Sequence, residues 1–231
     1  EDVRANGMGL AHFSAREEVC ADCLANRATR AFTDLRPEAN WRPTEALPFL
    51  AYQVRVREPH HPLVASANFC HRFYFPIDLM HLLDCKGVSP MVFGSACMWL
   101  LADPRVGPNR EARLARLNAQ RLVHYAGRPG VPKLPNIYES SVTRNKWGDL
   151  SGPALKAAMV RHAAPFFREL VFFFCTSGNA RDSSLRDCLA ALDDVYALLY
   201  RAGLFLTDAE LLRLRALVVR FGVAYQRLRE L

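Results

Sequence analysis

Residues 69–88 read FCHRFYFPIDLMHLLDCKGV, an aromatic run from Phe69 to Phe75, a proline at Pro76, and then an apolar segment opened by Asp78. The run predicts a short strand, since aromatics fit a pleated, half-buried surface. Pro76 ends it, and Asp78 stands where a helix begins. A carboxylate there suits two jobs, capping the first turn of the helix or holding a divalent cation. His81 lies one turn further along the same helix face. A metal site would use Asp78 with His81 as an orienting or phosphate-touching group. The alternative is an N-cap followed by an ordinary interior histidine.

Outward from this stretch, the chain of 231 residues is 51% hydrophobic, enough for one substantial core or two small ones. No apolar run reaches the eighteen residues or so that a membrane-spanning helix needs. The chain starts at Glu1 and keeps helical periodicity to Leu231, the pattern expected of an internal fragment. The formal charge is +7, and only four of the 30 Lys and Arg residues are lysine. Arginine favours bidentate contacts with phosphate, although a GC-rich coding sequence inflates Arg equally well. Seven scattered cysteines are expected as thiols in a nuclear or other reducing intracellular compartment.

Cys20 and Cys23 have the spacing of half a zinc site. The other half would come from Cys70 and His71, from His60 and His61, or from residues upstream of this fragment. Buried thiols without metal fit the pair equally. Trp41 beside Arg42, and Trp147 beside Lys146, could stack a base and hold its phosphate. A tryptophan in a loop more often anchors that loop to the core.

Alternation at 51–57 and 69–75 predicts a minor sheet within the first hundred residues. Beyond Asn109 the periodicity is helical. Asn109 caps a helix from Arg110 to Tyr125, with Leu114, Leu117 and Leu122 on its apolar side. Pro153 opens another helix, and Ala164 begins a further apolar one through Phe174. An amphipathic helix runs from about Ser183 to Ala202, and Thr207 with Glu210 forms a capping box before the last. The fold class expected is mainly α with a small β part near the N-terminus.

Taken together, Cys20 and Cys23, Trp41-Arg42-Pro43-Thr44, Asp78-Leu79-Met80-His81, Gly87-Val88, 150–156, 161–165 and the ending from Phe221 resemble DNA transposases of the broad CACTA-like group. The resemblance implies a fragment of an RNase H-like α/β core over residues 1–105 and a helical, insertion-like region over 106–231. It implies Asp78 as the middle acid of a two-metal site, with His81 as the motif histidine and Mg2+ or Mn2+ as cofactor. Full-length activity would be metal-dependent DNA cleavage and strand transfer, with DNA as partner, a homo-oligomeric assembly, and zinc at Cys20 and Cys23. Only one acid is placed, so the fragment alone is expected to be inactive. The alternative function is a non-catalytic helical module, zinc-stabilised, that binds DNA or protein.

Overall fold

A computed structural model describes residues 23–26, 28–31, 34, 36–44, 83–84, 87–144, 147–152, 155–176, 178–203 and 205–231. The chain divides into two compact units, Glu1–Ile77 and Asp78–Leu231. The described part of the first unit is a looped segment closed by a 3-10 turn at Arg42–Thr44. Asp34 organises it. The Arg36 guanidinium reaches the carboxylate at 2.7 Å, and Trp41 Nε1 donates to the Asp34 carbonyl at 2.8 Å. Hydrogen bonds from Arg36 lower the Asp34 carboxyl to about 2.

The second unit is built of helices: α1 (Val88–Ala102), α2 (Arg110–Ala126), α3 (Glu139–Val142), α4 (Ala157–His162), α5 (Ala164–Phe174), α6 (Ala180–Arg201) and α7 (Asp208–Glu230). The one described sheet is an antiparallel pair of two-residue strands, β1 (Thr143–Arg144) and β2 (Trp147–Gly148).

Helix α1 is the centre of the core because it is apolar on nearly every side, as a helix enclosed by others must be. Pro90 sits in its first turn, where a missing N–H breaks no helical bond. Phe93 stacks on Phe167 of α5 with ring centroids 4.2 Å apart, and both side chains are fully buried. Phe166, Leu100, Leu117, Leu170 and Leu189 complete the same cluster. Each such side chain contributes about 1.5–3 kcal/mol by leaving water.

The other helices surround this core, and their ends follow local chemistry. Asn109 Oδ1 accepts from Ala112 N at 2.8 Å and caps α2. Along α2, Leu117 is buried and Leu114 packs on the core, but Leu122 is 61% exposed. The adjacent Arg121 is buried instead, where it donates to the Leu134 carbonyl at 2.9 Å and pins the following loop. Asn118 bonds both the N–H and the carbonyl of Ile137, each at 2.9 Å. Asn179 caps α6, and Thr207 with Glu210 makes the reciprocal capping box that starts α7. Helix α4 begins at Ala157, four residues after the expected proline.

The expectation of an RNase H-like α/β core with a small sheet near the N-terminus is corrected. Among the described residues the regular elements are helices apart from β1 and β2, which lie beyond Asn109 in the helical unit. The two segments whose alternation suggested strands, 51–57 and 69–75, lie outside the described residues. Alternation over five to seven residues is a weak signal for a sheet when no partner strand is legible beside it.

Candidate functional site

Two arrangements in the second unit have chemistry or exposure beyond simple packing. The first is a cleft of about 180 Å³ lined by Leu83, Asp84, Arg161, Tyr196, Leu199 and Tyr200. Asp84 is completely buried beneath it. Arg161 of α4 donates from Nε to Asp84 Oδ2 at 2.7 Å, and the Tyr196 hydroxyl of α6 donates to Asp84 Oδ1. Ser89 of α1 then donates to the Tyr196 oxygen at 2.6 Å, because that tyrosine's own proton is committed to the carboxylate. Burial, and then the bond to Asp84, push the Tyr196 hydroxyl well above its ordinary range. His162 stacks on Tyr200 with ring centroids 5.3 Å apart. Burial, followed by the Arg161 charge, holds its imidazole below the usual value.

Chemically, this cluster is a clasp. Both carboxylate oxygens of Asp84 are engaged and its charge is matched by Arg161. The cleft is also smaller than the roughly 300–1,000 Å³ typical of ligand pockets. It ties the chain around Asp84 to α1, α4 and α6.

A related network joins the end of α1 to the start of α6. Arg105 bonds Asp103 at 2.8 Å and Asp182 at 2.8 Å, and the buried Asp182 also accepts from Thr176 N at 3.0 Å. His124 Nδ1 meets Glu169 Oε2 at 2.6 Å, and Arg128 meets Glu169 Oε1 at 2.8 Å, joining α2 to α5. The Cys97, Cys175 and Cys188 thiols are buried and pushed up to about 12 chiefly by that burial. Such thiols are poor nucleophiles and poor metal ligands.

The second arrangement is the surface of α7. At 100° per residue, Leu214, Leu217, Phe221, Ala224, Tyr225 and Leu228 share one face, and α7 packs against α6. Ala224 is buried, and Phe221, Tyr225 and Leu228 lie against the core. A different arc of about 120° holds Leu211, Leu212, Arg215, Val218 and Val219. There Leu211 is 43%, Leu212 67% and Val218 51% exposed. Phe205, in the turn before α7, is 83% exposed. Among the described residues, neither Arg213 nor Arg215 has an acidic partner, whereas Arg220 reaches Asp187 at 2.8 Å. Residues 78–231 hold 21 of the 30 Lys and Arg and 14 of the 23 Asp and Glu, a balance of 21 − 14 = +7. The entire net charge of the chain therefore belongs to the helical unit.

Asp78, His81 and Cys20 lie outside the described residues. Cys23 is buried within the first unit. Arg42 lies over the Trp41 ring at 4.6 Å while the indole N–H is held by Asp34, the anchoring arrangement. The Trp147 side chain is not described. Asp84 went unrecognised as a candidate because its partners stand 77 and 112 residues away, beyond any local pattern. The outward face of α7 had a visible signal, since apolar residues at 211, 212, 218 and 219 exceed what one buried stripe requires.

Compared with known proteins, the chain matches no family model, no curated protein and no solved structure. None of these comparisons carries the resemblance to CACTA-like transposases, and among the described residues of 1–105 the one long regular element is helix α1, with no sheet there. The family reading is corrected accordingly. Metal-dependent DNA cleavage and strand transfer is corrected with it. Among the described residues, no group of three or more His, Cys, Asp or Glu side chains could hold a metal ion. None of the described helices is long and apolar enough to cross a membrane.

Proposed function

We propose that this chain is a non-catalytic helical module that binds a protein partner through the outward face of α7. One observation carries the reading: α7 has two apolar faces, and among the described residues only one of them packs on its own unit. Contiguous exposed apolar surface bordered by charged residues marks interaction sites. An amphipathic helix from a partner, laid against Leu211, Leu212 and Val218, would bury them as helix-in-groove recognition does. The polar clusters of the unit support the same reading, because their charges are spent on holding helices together.

A second reading, DNA binding, is supported by the +7 of the helical unit and by arginines stacked on aromatics, Arg186 over Phe172 and Arg181 over Trp99, each at 4.1 Å. It is weaker. Other arginines of the unit are already paired with acids, Arg168 with Asp193 and Asp194 at 3.1 and 2.9 Å and Arg220 with Asp187 at 2.8 Å.

A peptide-display selection against the 231-residue chain separates the two. The protein reading expects recovery of amphipathic helices that are lost on Leu212→Asp. Recovery of no helical binders, together with salt-sensitive retention of a labelled DNA duplex, would favour DNA.

A further inference from the structure

We draw no further inference here: the strongest candidate, the open cleft where Trp99 of α1 meets Gly178, Ala180 and Arg181 at the start of α6, is a helix N-terminus that Asn179 already caps, and no second observation there points to a ligand.

Discussion

Gly94 in the middle of α1 and Gly148 on β2 bring a helix and a strand into backbone contact. A Cβ on Gly94 would lie 2.6 Å from Leu150 N, and a Cβ on Gly148 would collide with Ser95 N. The approach is locked by Leu150 N donating to the Pro90 carbonyl at 2.8 Å. Glycine within a helix costs about 1 kcal/mol relative to alanine, and here that cost allows the hairpin to seal one side of the core helix.

Gly94→Ala should therefore destabilise the unit, despite alanine's better helix propensity, by about 2–3 kcal/mol through overpacking. Gly127→Ala, at a position with nothing within 4 Å of the added carbon, serves as the control and should be near neutral. Denaturant unfolding followed by circular dichroism measures both. A neutral Gly94→Ala would mean that the helix–strand approach is looser than described.

Tyr196→Phe removes the hydroxyl that joins Ser89 to Asp84 and should cost about 1–3 kcal/mol, the loss expected for a buried group left short of a partner. Asp84→Ala should cost more, about 3 kcal/mol, because it strands Arg161 as well, although that guanidinium's 35% exposure softens the penalty. The order of the two variants in thermal unfolding is the check. If Asp84→Ala is the milder, the carboxylate is not the centre of the clasp.

Stability should fall on acidification. The Arg105 hydrogen bonds hold the Asp103 carboxyl below its ordinary range. For Asp182, burial pushes upward but the bonds from Arg105 and Thr176 outweigh it, and its value is lowered too. A carboxylate depressed in the folded state contributes stability that is complete above its unfolded value, about 4, and is lost as pH falls through the folded value. Asp193 has the opposite sign, since burial raises it, and its contribution is lost as pH rises through its folded value. Denaturant midpoints at pH 7, 5, 4 and 3 should drop mainly below pH 4. Arg105→Met should flatten that drop, and an unchanged profile in the variant would remove this network from the acid response.

Helix ends were the most legible part of the fold, for a physical reason. Asn109 and Thr207 satisfy amides three residues away, so the whole interaction lies within one window of sequence. The faces were harder. Leu122 has the right type for the core, but α2 turns it to solvent and buries the neighbouring Arg121, whose loop partners lie 13 and 15 residues ahead. Asp78 drew attention through its position after a proline, whereas the carboxylate that the described structure surrounds is Asp84, six residues later. Its environment comes from Arg161 and Tyr196, which only folding brings near. The same limit applies to α7, where periodicity marks a helix but cannot say which of two apolar faces is covered.

Hydrogen–deuterium exchange on the full chain, with and without the helical peptide recovered by selection, tests the central claim most directly. The account predicts added protection confined to 211–219, the turns that carry Leu211, Leu212 and Val218. Protection centred instead on Phe172 and Phe173 of α5, or no change along α7 at saturating peptide, would contradict it.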